Sequence, residues 1–449
     1  MTKIKQVTKR DGRVVPFNPD RITNAIYRAA VAVGGRDRTV AQKLSDQVVA
    51  MLESRFEPQQ APTVEAVQDV VEKVLIENGH ARVAKAYILY RDERNRRRLQ
   101  DRSTADQRGE NIPWAKLWSV LDWAVAHDLN TVAGLNRRIS KGEISDIVME
   151  SETEYTQDLF AVERSIFENK DIRLAIFAGP SSSGKTTTTN KIALRLENQG
   201  IKFAELNLDN YYLDLEVHPK DEFGDYDFET PQALDMELIN RHLKELLAGK
   251  EIRMPYYDFK TGKRAPQTTP IHLEENTIIL IDSLYGLFPA LTEGIQERSF
   301  KVYIEPLLQM KCDNGEYVRW TDIRLMRRML RDATHRAADY RQTLTHWHYV
   351  RSGELRNILP FISTANYIVN SGMPYELSIY QPKLIENFTG WAVEFKDDPL
   401  RKDAATRAAR VKGLLKSILP SVDDSVVPTD SVLREFIGGL DLSGQPSSG

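Results

Sequence analysis

Between positions 178 and 187 the chain reads Ala178-Gly179-Pro180-Ser181-Ser182-Ser183-Gly184-Lys185-Thr186-Thr187. Two glycines separated by four residues and followed by Lys-Thr match G-x-x-x-x-G-K-[ST], a loop whose backbone amides wrap a polyphosphate. Gly179 and Gly184 permit the sharp turns and the close approach of main chain to ligand. Lys185 is placed to reach the β- and γ-phosphates, the Thr186 hydroxyl to hold Mg²⁺, and the helix opening near Lys185 to add partial positive charge. Residues 179–187 are therefore the expected ATP site. Asp209 is the candidate general base, because phosphoryl transfer needs positioning, charge neutralisation and a carboxylate that accepts the hydroxyl proton. Asp282 is the candidate Mg²⁺- or water-orienting group beside Thr186. Arg324, Arg327, Arg328 and Arg331 follow i, i+3, i+4, i+7 on one helical face, where guanidiniums would close over the transferring phosphate. No N-K-x-D guanine-reading motif occurs, which argues against a GTPase.

Groups of this kind need a parallel sheet whose strands deliver them to one edge. Residues 172–178 form a short apolar, β-prone run ending at the loop, and 187–198 carry Ile192, Ala193, Leu194 and Leu196 for a covering helix. Three further runs end in chemistry: 203–208 at Asp209, 277–281 at Asp282, and 299–304 at Glu305-Pro306. A late run, 365–369, ends at Asn370-Ser371. The expected class is α/β, a doubly wound parallel sheet. Ahead of it, residues 1–98 read as a small, mostly helical unit with a hairpin turning at Asp11-Gly12. Its helices start at Asn18 or Asp20, at about Val40, after Thr63, and at Ala81. Residues 99–130 read as a linker and an amphipathic helix, whose Trp114, Trp118, Leu121 and Val125 belong to a core or domain interface. Residues 131–169 are expected to be helical, with Glu150, Glu152 and Glu154 solvated.

The 449 residues carry a net charge of −3, with 28% charged and 41% hydrophobic side chains. That balance gives no global bias toward nucleic acid or anionic membranes. No apolar run is long enough to span a bilayer, and the N-terminus lacks the apolar core of a signal peptide. The single cysteine, Cys312, excludes an intrachain disulfide and a multi-cysteine zinc site. A reducing cytoplasm is the expected location, without nucleic-acid or membrane partners.

The first unit resembles the ATP cone, the nucleotide-sensing domain of ribonucleotide reductases and their repressors. The likeness runs through Val7-Thr8-Lys9-Arg10-Asp11-Gly12-Arg13, Phe17-Asn18-Pro19-Asp20-Arg21-Ile22, Pro62-Thr63-Val64-Glu65 and Ala84-Lys85-Ala86-Tyr87-Ile88-Leu89-Tyr90-Arg91. It implies an adenine-nucleotide effector held by Lys9, Arg10, Asn18, Arg21 and Thr63, with Lys85 and Arg91 as further candidates. The zinc ribbon that precedes the cone in the repressors has no counterpart here, so a repressor role has no basis.

The rest resembles the uridine kinase and phosphoribulokinase superfamily, particularly the bacterial uridine-kinase-like proteins with an extra N-terminal domain. Beyond the phosphate loop, the likeness includes Asp221-Glu222-Phe223-Gly224-Asp225-Tyr226-Asp227-Phe228-Glu229 and Pro255-Tyr256-Tyr257-Asp258-Phe259-Lys260-Thr261-Gly262-Lys263-Arg264. The helix of arginines, Val350-Arg351-Ser352-Gly353-Glu354 and Val432-Leu433-Arg434-Glu435-Phe436-Ile437-Gly438-Gly439 extend it. By that resemblance Asp209 is the catalytic carboxylate and Asp227 and Tyr257 contact a nucleoside. Arg328, Arg331 and Arg336 serve the lid and substrate side, with Lys185, Arg328 and Arg331 joining Asp209 in catalysis. Three positions depart: Gly262 stands where uridine–cytidine kinases place a base-contacting histidine, Ala338 replaces a lid arginine, and Asp282-Ser283 replaces Glu-Gly.

The combined expectation is an ATP- and Mg²⁺-dependent kinase of a nucleoside-like acceptor, spanning 131–440, regulated through the cone, with a disordered tail at 441–449. Two alternatives stay open. One is a kinase of another small hydroxyl compound, such as a sugar phosphate or pantothenate-like acid, using Lys260, Lys263 and Arg264 for a second phosphate. The other is a non-catalytic nucleotide-responsive regulator. Homo-oligomerisation is also left open.

Overall fold

The alternation of side chains along one strand decides the layering. Leu174, Ile176 and Ala178 point to one side of the strand Leu174–Ala178, Ala175 and Phe177 to the other, and all five are buried. Such a strand must be covered on both faces. The computed structural model describes residues 2–8, 14–31, 33, 37–57, 60–80, 82–85, 87, 112–218, 230–336, 339–398, 401–421 and 423–443. It divides into two compact units, Met1–Gln107 and Arg108–Gly449.

In the first unit, β1 (Gln6–Thr8) and β2 (Val14–Pro16) pair antiparallel with Val7 opposite Val15. Helices α1 (Asp20–Val31), α2 (Arg38–Arg55) and α3 (Val64–Glu77) follow. Ile22, Ile26, Leu44, Val48, Leu52, Val70, Val74 and Leu75 share one core. Asn18 accepts from the Asp20 amide at 2.9 Å, and Thr63 caps α3 through the Ala66 amide at 3.2 Å. Thr8 bridges Thr63, its amide donating to Pro62 O at 2.9 Å.

In the second unit, α4 (Trp114–Ala126), α5 (Val132–Ser140) and α6 (Ile144–Glu168) lead to β3 (Leu174–Ala178). Then come α7 (Lys185–Asn198), β4 (Lys202–Glu205), α8 (Met236–Leu247), β5 (Ile252–Asp258) and β6 (Lys263–Ile271). They are followed by β7 (Thr277–Ser283), β8 (Ser299–Glu305), α9 (Trp320–Arg336), α10 (Tyr340–Asn357) and β9 (Tyr367–Asn370). Helices α11 (Glu376–Glu394), α12 (Lys402–Ser417) and α13 (Arg434–Ile437) finish the unit. The sheet is wholly parallel, in the order β4-β7-β3-β8-β9. One face packs on a core that takes in α6, α7 and α9–α12, the other on a core with α8 and the β5–β6 hairpin.

Two expectations need correction. Trp114, Trp118 and Val125 are exposed at 64%, 71% and 55%, while Val120 and Ala124 are buried. The apolar stripe read from spacing is the outward one, offset from the face that packs within this unit, so the core half of that expectation is corrected. Nor are the three glutamates solvated. Arg138 grips Glu150 at 2.7 Å, Tyr375 donates to Glu152 at 2.6 Å, and burial raises the pKa of both Glu152 and Glu154. Helix α6 keeps a solvent stripe at Asp146, Met149, Thr153, Gln157, Phe160 and Arg164, and the three glutamates lie beside it rather than on it. At the C-terminus, the Asp441 amide donates to Thr429 O at 2.9 Å; the rest of the expected tail, 444–449, lies outside the described residues.

Candidate active site

Strand β3 is central, flanked by β7 and β8, and hands the chain to the phosphate loop at the carboxyl edge. A side chain at Gly179 would place its Cβ 2.3 Å from Ile304 O, so only glycine fits beside β8. Gly184 has φ +87° and Ser182 φ +59°. Left-handed residues at alternate positions turn successive amides into an anion-binding concavity. Helix α7 then opens at Lys185, with its N-terminus toward the same concavity.

Two acids stand beside it. Asp282, near the end of β7, accepts from Lys185 Nζ through one oxygen and from Thr186 Oγ1 at 3.2 Å through the other. The two expected metal-side residues therefore converge. Among the described residues no group of three or more His, Cys, Asp or Glu is arranged to hold a metal. Mg²⁺ commonly takes one or two protein oxygen ligands plus substrate phosphates, and the Thr186 hydroxyl and Asp282 carboxylate are oxygen donors of that kind. Asp209 lies in the turn Leu208–Tyr211 after β4, where Asn207 Oδ1 accepts its amide at 2.9 Å. It opens to solvent in a concave setting, yet surrounding protein raises its pKa; Lys185 opposes this and Asp282 adds to it.

The arginines of α9 divide into two pairs. Arg324 and Arg327 are fully buried. Arg324 meets Glu354 at 2.5 and 2.9 Å, and Arg327 meets Glu376 at 2.7 and 3.0 Å. The expectation that all four close over a phosphate is corrected for these two, which face the interior. Arg328 and Arg331 are partly exposed, both touching Asp332, with Arg328 Nη1 3.4 Å from Ser181 Oγ. Arg336 is described only in its backbone.

An aromatic cluster adjoins the Asp209 turn. Tyr212, His218, Tyr257 and Phe259 pack with ring centroids 5.0–6.4 Å apart. Asn210 Oδ1 accepts the Tyr257 amide at 3.3 Å, tying the turn to β5. The buried Tyr257 hydroxyl has no partner among the described residues, and burial raises its pKa. Gly262 sits at φ +67°, and a Cβ there would lie 2.9 Å from Leu215 Cβ. Leucine thus fills the place beside the hairpin turn. Arg264 is committed to Asp235 and to the carbonyls of Tyr211 and Tyr212, each at 3.0 Å, and Lys263 pairs with Glu216. Arg264 is thereby engaged, whereas Lys260 and Lys263 are exposed, the latter in a solvent-screened pair. Asp227 lies outside the described residues.

The C-terminal segment reaches the loop as well. Glu435 Oε2 accepts from Thr187 Oγ1 at 2.7 Å and from its amide at 3.3 Å. Asp430 holds the buried Lys191 at 2.8 Å. Val432 blocks any side chain at Gly184. Sequence spacing gave no sign of Glu354, Glu376 or Glu435 as partners; the only signal was that Glu354 and Glu435 fall in stretches carrying the kinase likeness.

In the first unit, the structure brings Thr63 beside Thr8 and uses Asn18 and Thr63 as helix caps, while Arg21 and Lys85 are exposed. Lys9, Arg10 and Arg91 lie outside the described residues.

Comparison with known proteins divides the chain in the same sense. The ATP cone domain profile matches residues 5–96, and that of the phosphoribulokinase / uridine kinase family matches 175–378. A uridine kinase of Chloroflexus aurantiacus is 34% identical over 160 residues, 35% of this chain and 67% of that one. A vitamin B12-dependent ribonucleoside-diphosphate reductase of Thermoplasma acidophilum is 46% identical over 96 residues, 20% of this chain and 12% of the reductase. A solved structure described as a possible uridine kinase from Bacillus stearothermophilus aligns at TM-score 0.28 and 21% identity, over 38% of this chain and 91% of that one. No helix among the described residues is long and apolar enough to cross a membrane.

Proposed function

This chain belongs to the phosphoribulokinase / uridine kinase family and carries an ATP cone, and we propose that it moves the γ-phosphoryl group of ATP to the 5′-hydroxyl of a nucleoside. The observation that carries this reading is the link between the Asp209 turn and the aromatic cluster through Asn210 and the Tyr257 amide. The exposed Phe259 ring offers a flat face that suits a base, and the Tyr257 hydroxyl, unpartnered among the described residues, supplies a polar contact. The engaged state of Arg264 favours an acceptor without a phosphate of its own.

In this reading the loop amides and the α7 N-terminus hold the polyphosphate. Lys185 exchanges Asp282 for the β/γ-phosphates, and Arg328 and Arg331 neutralise the charge spreading over the transferred group. Thr186 and Asp282 would hold Mg²⁺, which would supply charge neutralisation for the phosphates there. Asp209 orients the acceptor hydroxyl and takes its proton; a raised pKa makes it a better base than an ordinary aspartate. The domain assignment proposed is 1–98 for the cone and 131–440 for the kinase, with an adenine nucleotide on the cone adjusting activity.

The test is ADP release from Mg·ATP with unphosphorylated nucleosides, sugar phosphates and pantothenate. Turnover with a nucleoside, absent with the others and lost in Asp209→Ala, is expected. Turnover only with a sugar phosphate or pantothenate would replace the acceptor assignment, and ATP binding without acceptor-dependent turnover would replace the kinase by a regulator.

A further inference from the structure

We propose that Arg324 and Arg327 are positioning residues that aim the phosphate-loop amides, acting through the carbonyls on the loop's inner side. Arg324 Nη1 donates to Ser181 O at 3.1 Å, and Arg327 Nη1 donates to Ser183 O at 3.3 Å. Ser371 Oγ donates to the same Ser183 carbonyl. Both guanidiniums are wholly buried, so these bonds draw the two carbonyls into the protein.

The geometry of the peptide unit does the rest. In a planar trans peptide the C=O and the following N–H point in opposite directions. Anchoring Ser181 O inward therefore turns the Ser182 amide outward, and anchoring Ser183 O turns the Gly184 amide outward. Neither amide donates to a protein acceptor among the described residues, whereas the intervening Ser183 amide is spent on Pro180 O at 3.2 Å. The two released amides belong to the two left-handed residues, Ser182 and Gly184.

Charge is not the purpose of these arginines. Glu354, with Glu305 3.5 Å from Arg324 Nε, and Glu376 match them inside the protein. What remains is a rigid fork on each side of the loop. The planar guanidinium can meet a carboxylate with two N–H groups and still reach a carbonyl, whereas a lysine ammonium lacks that fork. The loop is thus held in its binding shape before nucleotide arrives, which lowers the ordering cost of binding.

This inference rests on the reading of residues 179–187 as the nucleotide site. The test is calorimetric titration of the full chain with Mg·ADP, with Lys185→Ala identifying the binding step that belongs to the loop. Arg324→Lys and Arg327→Lys keep the charge and lose the fork. Each is expected to weaken the loop step about tenfold to a hundredfold, the range for a charge-assisted hydrogen bond, and to leave any other step unmoved. Ser371→Ala, a small change suited to retaining the fold, is expected to weaken the same step severalfold. Amide exchange at Ser182 and Gly184 in the ADP complex should accelerate in all three variants. An unchanged loop step in Ser371→Ala and in whichever lysine variants fold, even with lowered thermal stability, would overturn the proposal. A Lys185→Ala protein that loses no binding step would instead overturn the assignment of the loop.

Discussion

Replacing Gly184 by alanine tests how the phosphate loop and the C-terminal segment depend on each other. At φ +87° an L-residue pays about 1–2 kcal/mol for its left-handed backbone. The new Cβ would also lie 2.4 Å from Val432 Cγ2, where carbon atoms normally rest about 3.5–4.0 Å apart. Val432 is fully buried, so it has no solvent to move into, and overpacking of this kind costs about 1–3 kcal/mol. Gly184→Ala should therefore destabilise the second unit by about 2–5 kcal/mol. Val432→Ala alone should cost about 1.6 kcal/mol for two methyl groups, plus any residual cavity. In the double variant the steric part disappears and the backbone part stays, giving a favourable coupling of about 1–3 kcal/mol. Urea unfolding followed by tryptophan fluorescence reads this unit selectively, since Trp114, Trp118, Trp123, Trp320, Trp347 and Trp391 all lie within it. Additivity within about 0.5 kcal/mol would refute the packing of Val432 on Gly184.

Asp209→Asn should lower kcat by about 10²–10⁴ with little change in the KM for ATP, and it should raise the Tm at pH 7. The folded pKa of Asp209 lies above its unfolded value, so the unfolded chain releases this proton first and the group's contribution to stability falls as pH rises through that window. An equal or lower Tm would contradict the desolvation of that carboxylate by the surrounding protein. The same shift places the acid limb of kcat/KM above the ordinary aspartate range, and the limb should vanish in the variant. Gly262→His, restoring the histidine of the uridine–cytidine kinases, should destabilise by about 2–5 kcal/mol through positive φ and the Leu215 contact without improving pyrimidine selectivity. Improved selectivity in a stable protein would refute it. Trp114→Ser combined with Trp118→Ser should change the stability of the unit by no more than about 0.5 kcal/mol per site; a loss of several kcal/mol in the same urea assay would return these residues to a core.

The parts of the site that were legible are those encoded contiguously. Strand, glycine loop and helix follow one another at 172–198, and Asp209 and Asp282 come at the ends of apolar runs, where a parallel sheet delivers its chemistry. The helix of arginines was legible as a helix but not as to which side faces out. Four cations on one stripe look alike until Glu354 and Glu376 arrive from elements 30 and 49 residues further on. Trp114 and Trp118 misled for the opposite reason: large apolar side chains mark a face without saying whether anything covers it. The β5–β6 hairpin was missed as strands because much of its second strand is exposed, leaving little hydrophobic alternation to read. Arg264 looked free for a substrate because its partners come from elsewhere: two carbonyls from the turn after β4 and Asp235 from the N-terminus of α8.

Glu435 and Thr187 are 248 residues apart in the chain, yet they meet at the first turn of the phosphate-loop helix. On a ribosome adding about 5–20 residues per second, the loop is made tens of seconds before the segment that completes its surroundings. During that interval Lys191 has no Asp430 and Gly184 has no Val432 against it. The nucleotide pocket is therefore completed only once residues 430–435 have been made. A nascent chain arrested before Asp430 carries the whole phosphate-binding motif and should still fail to be retained on an immobilised nucleotide through it.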